Sequence, residues 1–137
     1  YYSYKERIIL SKKICNNIKK IFVSNYDKKY SYQLIDLIQK KYKSSQTFFL
    51  IGSDNVKSFH KWKRFSQIIN VCTLVVINRP GSYNSFKKSF FFKKYSKFMK
   101  KNLNNLKAIP QKTWIYINDK GKKISSSNIK NRLYKNK

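Results

Sequence analysis

The stretch Phe48 to Trp62, FFLIGSDNVKSFHKW, restricts the fold more than any other part of the chain. Phe48, Phe49, Leu50 and Ile51 form an uncharged apolar run that Gly52 stops, with Ser53, Asp54 and Asn55 behind it. A short apolar run closed by a turn signal reads as a buried strand of a parallel sheet. Ser53 or Asp54 suits the N-cap of a following helix, with Val56, Phe59 and Trp62 at helical spacing. Open α/β sheets place ligands at the carboxyl ends of their strands, so this turn is a candidate binding site. Gly52 lets a ligand approach the backbone, Asp54 offers an acceptor to ribose hydroxyls, and Trp62 offers a flat face to a ring. A well-capped strand-to-helix turn with Trp62 in the core accounts for the same residues, and the stretch alone favours that plainer reading.

The rest of the chain repeats the alternation. Thr73 to Ile77, TLVVI, is an apolar strand rich in β-branched residues, ended by Asn78 to Ser82, NRPGS. Trp114 to Ile117 reads as a last strand, and Ile21 to Ser24, IFVS, as a short early one. Tyr4 to Ile18 suits an amphipathic packing helix. Ser31 can cap a helix whose apolar face is Leu34, Ile35, Leu37, Ile38 and Tyr42. Phe65, Ile68 and Ile69 mark a shorter amphipathic piece. Phe90, Phe91, Phe92, Tyr95, Phe98 and Met99 suggest one wide helical face in a Lys- and aromatic-rich segment. That mixture can stack bases, but core packing is the stronger reading. Ser125 to Ser127 open a final helix, Asn128 to Tyr134. Strands alternating with helices argue an α/β fold with a parallel sheet, in one domain and without internal repeats.

The net charge of +27 ordinarily points to nucleic acid. Yet only Arg7, Arg64, Arg79 and Arg132 among the 32 cationic residues are Arg, the side chain suited to bidentate phosphate and base contacts. The lysines accompany abundant Asn, Ile, Tyr and Phe, all with AT-rich codons, so the charge reads mainly as drift on solvated surfaces. A basic, ribosome-associated nucleic-acid-binding protein is the second reading. Salt-sensitive adhesion to polyanions follows under either. Cys15 and Cys72 are far apart and read as free thiols. With His60 as the only histidine, they make no zinc pattern. Walker, Rossmann-glycine and G-x-S-x-G motifs are absent. No apolar run approaches the ~18–20 residues of a membrane helix, no secretory signal is evident, and a cytoplasmic location is the default.

Four motifs then occur in order. Ile51 to Trp62, IGSDNVKSFHKW, carries an I-G-x-D turn before a short helix and a Trp. Tyr30-Ser31 stands before a helix, and Arg79-Pro80-Gly81 follows a strand. Ile124 to Lys130, ISSSNIK, resembles I-S-S-T-x-I-R. Together they resemble the bacterial nicotinate-nucleotide adenylyltransferases, over about Tyr30 to Lys130. The resemblance implies a Rossmann-like parallel sheet flanked by helices. The implied reaction moves AMP from ATP to nicotinate mononucleotide, giving nicotinate adenine dinucleotide and pyrophosphate in NAD biosynthesis. Mg²⁺ would accompany the ATP. Gly52, Asp54, Ser125, Ser126, Ser127 and Lys130 would serve the ATP, and Ser31, Trp62 and Arg79 the nicotinate nucleotide. An N-cap of serines and a solvated loop Arg are the plainer readings of Ser125–Ser127 and Arg79. Adenylyltransferases acting on pantetheine phosphate share the fold and a Ser-rich helix start, but the I-G-S-D stretch and the R-P-G turn favour the nicotinate branch.

The departures set further expectations. The family's H-x-G-H motif has no counterpart, so no catalytic residue is identified and none is expected to ligate a metal. Residues 1–137 are therefore expected to form a single nucleotidyltransferase-like domain incomplete at its N-terminus. The first strand-helix-strand unit would be lacking, leaving exposed sheet edge and apolar surface, marginal stability and impaired catalysis. A homologue that keeps the fold without the chemistry is a third reading. Lys130 stands for the family's Arg, a point charge in place of a fork. Gln33 and Leu34 stand for its Asp-Thr.

Overall fold

A computed structural model describes residues 2–103 and 108–118. In chain order it contains α1 (Tyr4–Cys15), α2 (Ser31–Lys41), β1 (Phe48–Gly52), α3 (Ser53–Phe59), α4 (Phe65–Val71), β2 (Thr73–Ile77), α5 (Tyr83–Lys87), α6 (Phe90–Tyr95), a 3₁₀ turn (Ser96–Phe98), β3 (Met99–Lys100) and β4 (Trp114–Ile117). The strands form one sheet in the order β1-β2-β4-β3, with every neighbouring pair parallel. Gly52 pairs with Ile77, and Ile77 with Ile117, so three strands end level at one rim. This is the α/β fold with a parallel sheet that the alternation predicts. None of the described helices is long and apolar enough to cross a membrane.

The central strand β2 is buried from Thr73 to Val76, as a strand covered on both faces must be. β1 departs from the expected buried strand. It lies at the sheet edge, and only Ile51 is buried, while Phe48 and Leu50 stay 43% and 60% exposed. Period-two geometry puts Phe49 and Ile51 on one face and Phe48 and Leu50 on the other. Phe49 packs edge-on against Trp62, whereas the opposite face is left open.

The core is largely aromatic. Phe59, Phe86, Phe91 and Trp114 are at most 1% exposed and meet in edge-to-face pairs at 5.3–5.9 Å. Such contacts add about 0.5–1.5 kcal/mol each beyond area burial. The indole Nε1 of Trp114 donates to the Tyr95 carbonyl at 2.7 Å, so its polar edge is satisfied inside the core. α4 buries Phe65, Ile68 and Ile69, as their spacing predicts. It is tied to α2 by Gln39 donating to the Val71 carbonyl and Gln67 donating to Asp36.

Four expectations need correction. The wide aromatic face of residues 90–99 does not form. Ser89 caps α6 by accepting from the Phe92 amide, Phe91 and Tyr95 turn inward, and Phe90 turns out. The helix then tightens into the 3₁₀ turn, and Met99 enters the two-residue strand β3. Ile21 to Ser24 joins no strand ladder, and Phe22 is 90% exposed. α1 forms through a capping box, Ser3 with Glu6, yet buries no residue, so it is not the expected packing helix. The apolar face of α2 is only partly used: Ile35 is buried, but Tyr42 is 52% exposed.

Candidate functional site

The three level strand ends build the site. β1 closes at Gly52, which is the N-cap of α3, in place of Ser53 or Asp54 as the sequence suggests. Gly52 has φ −71°, which any residue adopts. Space is what requires glycine here. A methyl group would collide with the Asp54 carboxylate and come within 3.2 Å of Arg79 Nε. The room that the sequence reserves for a ligand's approach is shared here by those two side chains.

Ser53 does a different job from capping. It is fully buried, and its hydroxyl accepts from the Arg79 amide at 2.9 Å. It also makes a short contact with the Ser82 hydroxyl, and Ser82 donates to the Arg79 carbonyl at 2.7 Å. The Ser82 amide closes the same turn onto that carbonyl at 3.0 Å. Pro80 and Gly81 occupy the middle, with Gly81 at φ +85°, the pattern of a type II turn. The R-P-G sequence thus fixes where Arg79 stands, and Ser53 pins that turn to the end of β1. Sequence reasoning missed this role, because a serine after a strand signals a cap before it signals a buried brace.

Arg79 and Asp54 meet across the rim. Arg79 Nη1 lies 3.3 Å from Asp54 Oδ2, with the side chains 60% and 42% exposed. It is the one ion pair among the described residues, and at this exposure it is worth about 0–1 kcal/mol. Arg79 and Gly52 also line a small cavity of about 190 Å³ with Leu50, Ile51 and Ile77. Beside it, the Asn78 amide nitrogen donates to Asn118 at 2.9 Å, while its buried oxygen finds no partner among the described residues. The Tyr116 phenol on β4 is likewise unpartnered there, and burial, then Tyr83, raise its pKa.

Ser31 and Trp62 form a second group beyond the other end of α3. Trp62 is half-buried, edge-on to Phe59 at 5.2 Å and to Phe49 at 6.3 Å. It also lines a cavity of about 330 Å³ with Tyr30 and Ser31, so it is core residue and cavity wall at once. Ser31 is the first residue of α2 and not its cap; Gln33 reaches back to accept from the Tyr30 amide at 3.2 Å. Lys29, Lys61 and Lys63 line the same cavity, with Lys63 Nζ 4.8 Å from the Tyr30 ring centre. The lysines were not singled out from sequence, although the K-W-K triplet around Trp62 was a signal for two of them. Gly52, Asp54 and Arg79 are brought together; Ser31 and Trp62 are brought together; the two groups line different cavities. Ser125, Ser126, Ser127 and Lys130 lie outside the described residues. His60 is half-buried against Phe90 at 5.1 Å and lines neither of these cavities.

The cytidylyltransferase-like family model matches residues 1–132. The chain belongs to that family. Among curated proteins it is similar to a probable nicotinate-nucleotide adenylyltransferase of Pelagibacter ubique, 40% identical over 80 residues, covering 56% of this chain and 44% of the relative. A protein of the same description from Aliarcobacter butzleri is 28% identical over 95 residues, 66% of this chain and 52% of its own length. Another, from Mesorhizobium japonicum, is 26% identical over 130 residues, 91% and 67%. The chain spans about half the length of most of these curated relatives. Membership of a cytidylyltransferase-like family agrees with the parallel α/β sheet.

Proposed function

We propose that this chain is the nucleotide-handling part of a nicotinate-nucleotide adenylyltransferase, in a single α/β domain. It would transfer AMP from ATP to nicotinate mononucleotide, releasing pyrophosphate and forming nicotinate adenine dinucleotide. The observation that carries the reading is Trp62, held edge-on by the core while bordering a lysine-lined cavity that also contains Ser31. A flat ring bearing an anionic group fits such a cavity. The relatives' descriptions name nicotinate nucleotide as what those proteins act on.

In this reading Trp62 stacks on the nicotinate ring, and Ser31 with the start of α2 meets its carboxylate. Lys29, Lys61 and Lys63 neutralise charge around it. Arg79 takes the nucleotide phosphate. Asp54 exchanges its pairing with Arg79 for ribose hydroxyls of ATP, which frees the space over Gly52 that the two side chains share. Ser125, Ser126 and Ser127 of the I-S-S-S-N-I-K motif hold the ATP phosphates, with Lys130 supplying charge. The phosphate of nicotinate mononucleotide attacks the α-phosphorus in line, without a covalent enzyme intermediate. The protein's part is positioning and charge neutralisation. Mg²⁺ would accompany the ATP, bound through its phosphates.

Trp62→Ala tests this. It should weaken nicotinate mononucleotide binding about tenfold by calorimetry and leave ATP binding within about twofold. Trp62→Phe, which keeps a ring in the same packing, should recover most of the loss. Equal losses for both ligands in a variant that remains folded would mean that Trp62 serves only the core.

A further inference from the structure

Part of the Lys- and aromatic-rich segment lies away from the rim at which β1, β2 and β4 end. A cavity of about 370 Å³ opens where the strands begin, opposite the rim at which they end. Ile69 and Asn70 reach it from the end of α4 just before β2, Phe98 from just before β3, and Lys112 from two residues before β4. Thr73 to Ile77 spans about 13 Å at strand rise, so this cavity and the Arg79 turn lie at opposite ends of the sheet.

Its lining combines cations with a ring. Lys94, Lys97 and Lys112 all contribute, from two separate parts of the chain, and no acidic residue among the described residues lines it. Lys97 and Lys112 place their ammonium groups 5.3 and 5.9 Å from the Phe98 ring centre. The acids that do make contacts are engaged elsewhere: Glu6 with Ser3, Asp36 with Gln67, and Asp54 with Arg79. Lys112 is the most constrained of the three. It is half-buried and held at φ +63°, a left-handed conformation for which glycine or asparagine is the usual choice. Its amide donates to the Ile69 carbonyl at 3.1 Å, and the Thr113 amide closes the turn onto Pro110. Lys20 and Arg64 adopt the same left-handed conformation, so what sets Lys112 apart is its place at the cavity wall.

We propose that this cavity is a second binding site, for a nucleoside phosphate. The ammonium groups take the phosphates, the half-buried Phe98 covers the base, and the Ser66 hydroxyl and Asn70 amide offer it hydrogen bonds. The volume falls in the range of small-molecule sites. The site is independent of the reading given to the substrate rim, and its occupant need not be a substrate.

The test is an ¹⁵N-resolved NMR titration of the full chain with ADP. Saturable shifts at the amides of Asn70, Lys97, Phe98 and Lys112 are expected. Lys112→Gly removes the charge while giving the turn the residue that φ +63° favours, so the fold is kept. Lys97→Ala removes a second charge from an exposed turn. Each should weaken ADP at these amides about fivefold without altering shifts at Gly52 or Arg79. Pyrophosphate should bind here more weakly than ADP. Three results would overturn the proposal: no saturable shift at these amides, equal binding of pyrophosphate and ADP, or tighter binding of an oligouridylate than of ADP.

Discussion

Residues 4–29 and residues 48–117 are comparably rich in apolar side chains, yet the two regions bury them very differently. In the first, Ile9, Ile14 and Phe22 are 64%, 73% and 90% exposed, and α1 buries nothing. In the second, Val56, Phe59, Val76 and Trp114 are 0% exposed. Helix formation is not what separates them. α1 has a complete capping box and basic residues in its last turn, which suit the helix dipole, and it is longer than α3 or α6. Local signals make a helix, whereas a core needs a facing surface at the matching distance. α3 and α6 have one in each other and in the sheet; α1 covers Tyr4, Ile8 and Cys15 only in part and buries no residue.

Substitutions can break this contrast, and the largest effect belongs to Trp114. Trp114→Ala should cost about 3–5 kcal/mol, because it empties the aromatic core and strips the Tyr95 carbonyl of its partner. Against a typical total of about 5–15 kcal/mol, much of the population would unfold. Ile14→Ala, at 73% exposure, should change the denaturant midpoint by no more than about 0.5 kcal/mol equivalent. Comparable losses at the two positions would show that α1 is packed after all.

Ser53→Ala should fall between these, at about 1–3 kcal/mol, since it leaves the Arg79 amide without its acceptor. It should also loosen the Arg79 turn and so lower nucleotide affinity, whereas Asp54→Ala, which removes only an exposed ion pair, should alter stability by under about 1 kcal/mol.

The thiols sharpen the same contrast chemically. Cys72 is buried, donates to the Ile68 carbonyl, and has its pKa pushed up to about 12 by burial. Cys15, on α1, is only half-buried. A thiol reagent at pH 8 should therefore label Cys15 promptly and Cys72 only as the chain unfolds. The raised thiol keeps its proton in the folded state after the unfolded chain has lost it. Stability from this group is full below the ordinary thiol pKa of about 8.5 and is lost as pH rises towards 12. Cys72→Ala should flatten that part of the alkaline decline.

Much of the fold was legible in the sequence because several signals agreed at the same residues. β2 combined β-branched residues with the N-R-P-G stop, and Val56–Phe59 and Phe65–Ile69 carried helical spacing. β1 was located but misjudged, because an apolar run does not reveal whether both faces will be covered. Phe90 to Met99 misled because six apolar residues suit a helix until Ser89 fixes the register and the 3₁₀ turn ends it. The rim residues Gly52, Asp54 and Arg79 were legible through their motifs. Ser53 and the cavity lysines were not, because a brace and a cavity wall exist only once distant segments meet.

The two tryptophans give the most direct test of the central claim, that the Ser31–Trp62 cavity receives the nicotinate ring. The indole N–H resonances can be followed while nicotinate mononucleotide is added. The account predicts that the Trp62 resonance moves and saturates, while that of Trp114, bonded to the Tyr95 carbonyl inside the core, stays in place. A Trp62 resonance unmoved by the nucleotide, or both resonances moving together, would contradict it.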